Sequence, residues 1–217
     1  VFLYTFVFYA SAARQSIAAR ELSGMWAGGA EESGVVYVFD ATNGNCLATI
    51  LNPTVAEFDW FGYSVAVSGN IVVAGTPKAD HSSATNPGAA YVFNVTTGQH
   101  VSTLYKTTQD HALFGYSVAL SQDTVAVGTP YVDYSNKDDA GAVYLFLAST
   151  GAWIRTLTPS SPADSDLFGY SVALSGDRLL IGAPYRNESA TDAGIAYLFS
   201  AGTGGLSRTI ANPTPAP

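Results

Sequence analysis

Short apolar runs recur along most of this chain, and turn-forming residues separate them. In the last part of the chain the runs are Tyr170 to Leu174, Leu179 to Ala183, Ile195 to Phe199 and Leu206 to Ile210. Gly, Asn, Asp, Ser and Pro lie between them, which is typical of strands joined by tight turns. The turn Gly176-Asp177 supplies residues that tolerate the positive φ of a hairpin. This pattern predicts a four-stranded antiparallel sheet in up-and-down order.

Two motifs repeat in register. F-G-Y-S-V-A begins at Phe61, Phe114 and Phe168, so that the starts are 53 and 54 residues apart, and G-x-x-Y-x-F begins at Gly34, Gly88, Gly141 and Gly194. A period of this size with four strands per period is typical of a propeller blade. We therefore predict an all-β fold, a β-propeller-like array of about four four-stranded blades. A half repeat spans 34–58, and full repeats span 59–111, 112–165 and 166–217.

The residues that define the repeat are interpreted as structural. A glycine beside the aromatic residue allows close approach of a neighbouring sheet, and the proline of G-T-P or G-A-P ends a strand because it cannot donate to a ladder. The aromatic residues pack between stacked sheets. These positions are Phe61, Gly62, Pro77, Phe114, Gly115, Pro130, Phe168, Gly169 and Pro184.

Residues 1–33 precede the repeats and form an apolar arm followed by a connection. The first ten residues, V-F-L-Y-T-F-V-F-Y-A, are uncharged and too few to span a bilayer as a helix. They resemble the apolar core of a signal peptide. Because the sequence starts at Val1 without a Met and still includes them, we interpret them as a retained strand. For Ala12 to Leu22, a short helix and an irregular connection fit equally well. Met25 to Ala27 is expected to form a short strand.

Two hypotheses account for the missing half of the first blade. In one, Phe6 to Ser11 and Met25 to Gly28 complete that blade within the same chain. In the other, Val1 to Ala10 inserts into the incomplete sheet of a neighbouring chain, as in strand addition. The self-association residues of the second hypothesis are Phe2, Tyr4, Phe6 and Phe8. Both remain open from the sequence.

The charge and the amino-acid composition limit which classes of binding partner are expected. Charged residues make up 12% of the chain and the net charge is −8; the few Lys and Arg residues do not cluster, so neither nucleic acid nor an anionic membrane surface is an expected partner. Cys46 is the single cysteine, which excludes an intrachain disulfide. Asn94 and Asn187 begin N-x-S/T sequons and are candidate glycosylation sites, so glycans are expected partners in a secreted chain.

The motifs F-G-Y-S-V-A, G-A-P and G-x-x-Y-x-F together resemble the FG-GAP repeat, which is known from the propeller of integrin α subunits and from bacterial and algal surface proteins. The resemblance covers about Gly34 to Ile210. It implies an extracellular or cell-surface location, a propeller-type sheet arrangement, and binding or structural work instead of catalysis.

The chain departs from that family where calcium is concerned. Many members carry a D-x-D-x-D-G loop between the first two strands, whereas here the connection is a short turn with at most one carboxylate. No cofactor is therefore expected. A weak Ca²⁺ site formed by Asp133, Asp138 and Asp139 is the alternative to a solvated loop.

Catalytic motifs are missing from the sequence. No H-E-x-x-H and no G-x-S-x-G occurs. Asp59, Asp110 and Asp166 recur shortly before each F-G, which favours turn capping over an asymmetric acid pair. We expect no enzymatic activity. The expected function is structural, with self-association of copies into a fibre or coat; the alternative is an adhesion or ligand-binding module, and a polysaccharide-active enzyme is a distant third.

Overall fold

The computed structural model describes residues 34–54, 56–81, 83–186 and 193–213, together with the backbone of 6–7 and 17–20. These residues contain strands and turns, and none of them lies in a helix that could cross a membrane. The strands are β1 Phe6–Val7, β2 Ile17–Arg20, β3 Val35–Asp40, β4 Cys46–Leu51, β5 Ser64–Ser68, β6 Ile71–Thr76, β7 Ala89–Asn94, β8 Gln99–Leu104, β9 Ser117–Ser121, β10 Thr124–Thr129, β11 Ala142–Leu147, β12 Trp153–Leu157, β13 Ser171–Ser175, β14 Arg178–Ala183, β15 Ile195–Ser200 and β16 Leu206–Ala211.

Consecutive strands pair antiparallel in four four-stranded sheets, which we call blades 1 to 4 in chain order. The innermost strands of successive blades pack on one another, β5 on β9 and β9 on β13. The all-β, propeller-like array of about four blades is thus confirmed. The strands β6, β10 and β14 each end directly before the proline of the G-x-P motif, at Pro77, Pro130 and Pro184.

Blade 1 contains two strands from residues 1–33. β1 pairs with β2, and β2 pairs with β3. The structure describes only Ile17–Arg20 of the segment Ala12 to Leu22, and for these four residues the expectation of a short helix or an irregular connection is wrong, because they form a strand. Pairing with a neighbouring strand outweighs the helix propensity of this Ala- and Arg-rich segment. The expected strand at Met25 to Ala27 lies outside the described residues.

The register shows which parts of the repeat these strands supply. Ile17 pairs with Asp40 as Ile71 pairs with Asn94, so β2 takes the place of β6. Phe6 pairs with Arg20 and therefore takes the place of Val65. By count along the sequence alone, F-L-Y-T at 2–5 falls where F-G-Y-S begins the later blades. Phe6–Val7 pairs with Ile17–Arg20 of the same chain, whereas insertion of the arm into a neighbouring chain stays a prediction.

The hydrophobic core lies between blades. Three clusters of buried side chains fill the spaces between successive blades, and each has the phenylalanine of an F-G-Y-S motif within it. Phe61, Phe114 and Phe168 are almost completely buried. Each meets the phenylalanine of its own G-x-x-Y-x-F motif edge-on, with ring centroids 5.9, 5.9 and 6.0 Å apart. Such pairs add about 0.5–1.5 kcal/mol beyond the area that they bury.

The glycine of F-G-Y-S allows the blades to approach one another. Gly115 has a φ of +89°, and a Cβ atom there would collide with the carbonyl oxygen of Ala89 in blade 2. Only glycine can adopt this positive φ and lie so close to the carbonyl oxygen without strain.

Candidate ligand-binding face

The connections emerge on two faces of the array. In an up-and-down sheet, the links from second to third strand and from one blade to the next lie at one end. The resulting loop face comprises the described parts of 52–63, 77–88, 105–116, 130–141, 158–170 and 184–194. The opposite face carries tight hairpins, several of only two residues. Long loops held on a rigid scaffold are where binding residues concentrate, so the loop face is the candidate site.

Three tyrosines from different blades lie in a row at the loop face, where the innermost strands begin, with neighbouring rings tilted by about 50° to each other. Tyr63 lies 5.1 Å from Tyr116, and Tyr116 lies 5.0 Å from Tyr170, between ring centroids. We call these three residues the tyrosine ladder. Trp60 stacks on Tyr63, and Tyr131 meets Tyr116 edge-on. The ladder was not predicted, although the tyrosine of F-G-Y-S recurs at a fixed period in the sequence and was the signal for it.

The ladder consists of phenol side chains, and burial perturbs one of them. Burial, followed by contact with the hydroxyls of Tyr170 and Tyr63, raises the pKa of Tyr116. Burial likewise raises the pKa of Tyr131. Tyr170 ends the ladder and is 37% exposed. The faces of such rings attract cations, as Lys78 demonstrates: its Nζ lies 3.5 Å from the centre of the Trp60 ring.

The loops of the same face carry exposed carboxylates. They belong to Glu57, Asp80, Asp110, Asp133, Asp138 and Asp164. Two cations of this face are already paired, since Lys137 Nζ lies 3.2 Å from Asp164 Oδ2 and Arg186 Nη1 lies 2.9 Å from Asp166 Oδ2. The described part of the loop face therefore carries more negative than positive charge.

The aspartates before each F-G have different partners. Asp166 is buried and accepts a hydrogen bond from Ala163 N–H as well as from Arg186, consistent with a turn cap. Asp59 is also buried but accepts from the Asn52 amide at 3.1 Å, and burial raises its pKa. Asp110 accepts from Thr85 N–H and so connects two loops.

In the acidic loop of blade 3, carboxylate oxygens accept hydrogen bonds from backbone N–H groups. Asp133 Oδ1 accepts the N–H of Asp139 at 2.9 Å, and Asp138 N–H donates to Asp164. Burial, and then the charges of Asp133 and Asp138, raise the pKa of Asp139. Within the part of the chain that the structure describes, no three His, Cys, Asp or Glu side chains are grouped to hold a metal ion. The weak Ca²⁺ site at these residues stays a prediction.

The remaining candidate residues lie elsewhere or outside the described residues. Asn94 ends β7 on the hairpin face, where its Oδ1 accepts the N–H groups of Thr96 and Thr97. Cys46 is exposed and free. Outside the described residues lie Phe2, Tyr4, Phe8 and Asn187. Glycosylation at Asn94 and Asn187 stays a prediction.

Comparisons with known proteins agree with the repeat pattern. A family model described as FG-GAP repeat matches residues 47–93, 108–146 and 154–199, more than half of the chain. Integrin alpha-3 of Mus musculus is 29% identical over 175 residues, covering 69% of this chain and 16% of that protein. Integrin alpha-6 of Gallus gallus is 33% identical over 132 residues, covering 52% of this chain and 12% of that protein. The chain thus spans about a sixth of the length of these relatives or less.

One solved structure shares the fold. The computationally designed Ika8 protein superposes with a TM-score of 0.57 at 17% identity, covering 96% of this chain and 49% of the designed one. Four blades in this arrangement therefore match about half of that longer chain.

Proposed function

Because the chain belongs to the FG-GAP repeat family, we propose that it is a ligand-binding module of the adhesion type, exposed outside the cell, whose loop face binds a positively charged protein segment. Its similarity to integrin alpha chains supports the adhesion part of this proposal. The observation that carries the choice of face and ligand is the tyrosine ladder, which lies on the face where the long loops emerge and where the described loops carry several exposed carboxylates.

The chemistry of the ladder favours Arg and Lys side chains. A cation over an aromatic face gains about 0.5–1 kcal/mol at an exposed site and about 2 kcal/mol or more when water is excluded. The carboxylates of the loop face attract the same side chains over a longer range and accelerate the encounter. An acidic ligand would meet like charges on this face.

A labelled oligo-arginine peptide tests this proposal by fluorescence anisotropy, with an oligo-glutamate peptide of equal length as the control for charge. Asp133→Asn with Asp138→Asn removes two charges from the loop face, and we expect binding to weaken about fivefold or more. The matched control, Asp123→Asn with Asp177→Asn, removes two charges from the hairpin face. Its asparagine oxygens can still accept the N–H bonds of Ser149 and Gly202.

Tyr170→Leu separates the aromatic contribution from the charge. This substitution preserves an apolar side chain but removes the ring at the exposed end of the ladder, and we expect weaker binding of oligo-arginine at unchanged net charge. Equal weakening by the loop-face and hairpin-face double variants, with no effect of Tyr170→Leu, would mean that only net charge attracts the peptide and would refute the proposed site.

The fibre or coat assembled through the N-terminal strand stays a prediction. The similarity to integrin alpha chains favours the adhesion alternative. Deleting residues 1–10 would also remove β1, which pairs with β2 of the same chain, so loss of polymers in that variant would not distinguish a missing linker from a damaged blade 1.

A further inference from the structure

One aromatic ring of the loop face already has a cation over it. Trp60 stacks on Tyr63, the blade 2 member of the tyrosine ladder, with ring centroids 5.6 Å apart and ring planes inclined by 15°. Lys78 Nζ lies 3.5 Å from the centre of the Trp60 ring. The two ion pairs found among the described residues involve Lys137 and Arg186. Within this part of the chain, the ammonium group of Lys78 therefore has the indole ring as its partner instead of a carboxylate.

The backbone positions Lys78 for this contact. Lys78 N–H donates to the carbonyl oxygen of Asp59 at 3.2 Å, and Trp60 is the next residue along the chain. Pro77, directly before Lys78, has a fixed φ. The side chains of Lys78 and Trp60 are both partly buried, and a cation–π contact is stronger when water is partly excluded than at a fully exposed site.

Blades 3 and 4 have different residues in these two positions. Lys78 follows the proline of the G-x-P motif, where the later blades have Tyr131 and Tyr185. Trp60 precedes the phenylalanine of F-G-Y-S, where both later blades have a leucine. All three blades nevertheless form the same four strands. The fold therefore does not require the pair of Trp60 and Lys78, and a role in binding accounts for it.

We propose that Lys78 determines the specificity of the loop face: its ammonium group occupies the Trp60 ring, and an arginine of the bound segment displaces it, whereas a lysine does not. This inference rests on the proposed function, because it concerns the same face and the same cationic ligand. A guanidinium group is planar, stacks on aromatic faces and is more weakly hydrated than an ammonium group. An arginine therefore gains more at the ring than Lys78 loses, while a lysine only exchanges one ammonium group for another.

Lys78→Arg tests this inference at unchanged net charge. Fluorescence anisotropy compares labelled oligo-arginine and oligo-lysine peptides of equal length. Because the variant places a guanidinium group on the Trp60 ring, oligo-arginine no longer gains by displacing the resident cation, and we expect its affinity to fall about twofold or more. The affinity for oligo-lysine should stay the same, since this peptide gains nothing from the ring in either protein.

The matched control is Lys106→Arg. Lys106 also has its Nζ over an indole ring, 4.2 Å from the centre of Trp153 in the outermost strand of blade 3. The same substitution there should change the affinity for neither peptide. A general preference of the protein for arginine-free surfaces would affect both variants alike, whereas the proposed role affects Lys78→Arg alone.

Removal of the resident cation should have the opposite effect. Lys78→Ala and Lys106→Ala each take one positive charge from the protein, so a gain in affinity from net charge alone is the same in both. Only Lys78→Ala also frees the Trp60 ring. We expect it to bind oligo-arginine about two- to fivefold more tightly than Lys106→Ala does. Thermal unfolding of each variant reports whether it remains folded.

The wild-type chain gives a readout that depends on no variant. Protons above an indole ring resonate upfield, so the ε-methylene signals of Lys78, assigned through bonds by NMR, should lie upfield in the free protein. Saturating oligo-arginine should move them to the position of a solvated lysine, and oligo-lysine should leave them in place.

The outcomes separate this inference from the proposed function. Binding of oligo-arginine to neither the wild-type chain nor Lys78→Ala would overturn both. Binding that weakens in Asp133→Asn with Asp138→Asn and in Tyr170→Leu, but is equal in Lys78→Arg and Lys106→Arg, would overturn the role of Lys78 alone. Lys78 signals that stay in place when oligo-arginine is bound would overturn it as well.

Discussion

The sequence S-V-A-L-S occurs twice in this chain and forms the innermost strand of both blade 3 and blade 4. In β9, Ser117–Ser121, the three central residues are buried. In β13, Ser171–Ser175, every residue is exposed or only partly buried. Both strands pair in the same register with the next strand of their own blade. They differ because β9 lies between β5 and β13, while β13 has a described neighbour on one side only.

This comparison shows that stability lies between the blades more than within them. The core clusters connect one blade to the next, as in repeat proteins whose stability is the sum of repeat and interface terms. Identical residues should therefore contribute very different free energies of unfolding according to whether the next blade is present.

The largest expected effect compares Leu145→Ala with Leu198→Ala. The two leucines occupy the same position in blades 3 and 4, but Leu145 is fully buried and Leu198 is partly exposed. We expect Leu145→Ala to lower the free energy of unfolding by about 2–5 kcal/mol and Leu198→Ala by less than about 1 kcal/mol. Urea denaturation measures both. Equal losses would show that the blades are stabilised individually.

A smaller effect compares Ser117→Ala with Ser171→Ala. The first substitution removes a hydrogen bond to the carbonyl of Gly169 in the next blade, at a cost of about 0.5–1.5 kcal/mol. We expect Ser171→Ala to leave the monomer unchanged. The same denaturation experiment measures both substitutions, and equal losses would contradict the comparison.

The smallest effect concerns pH and compares blade 2 with blade 4. Asp166 has Arg186 as its partner, whereas Asp59 is held by Asn52. Because burial raises the pKa of Asp59 above its usual value of 3.8, the stability that it contributes is present below that value and is lost as the pH rises through the higher pKa of the folded state. Unfolding measured between mildly acidic and neutral pH should show less of this loss in Asp59→Asn. Identical pH profiles for the wild-type chain and Asp59→Asn would contradict this role of Asp59.

The repeat motifs predicted β13 to β16 to within one residue at either end, because period-two apolar runs bounded by Gly and Pro depend on local chemistry. The strand β2 was not predicted, because it depends on tertiary pairing and not on local chemistry. Its segment, rich in Ala and Arg, has no strong local preference for a strand, and it becomes one because β1 and β3 lie on either side of it.

The sequence by itself determined the period, the strands of the later blades and the residues that close one blade onto the next, because these depend on side-chain chemistry repeated along the chain. Only the tertiary structure decided which copies of those residues are buried and which rings meet. Tyr63, Tyr116 and Tyr170 are more than fifty residues apart from one to the next, and only blade packing brings neighbouring rings to about 5 Å. The burial of a strand depends on what packs against it, and the residues of that strand alone do not specify this.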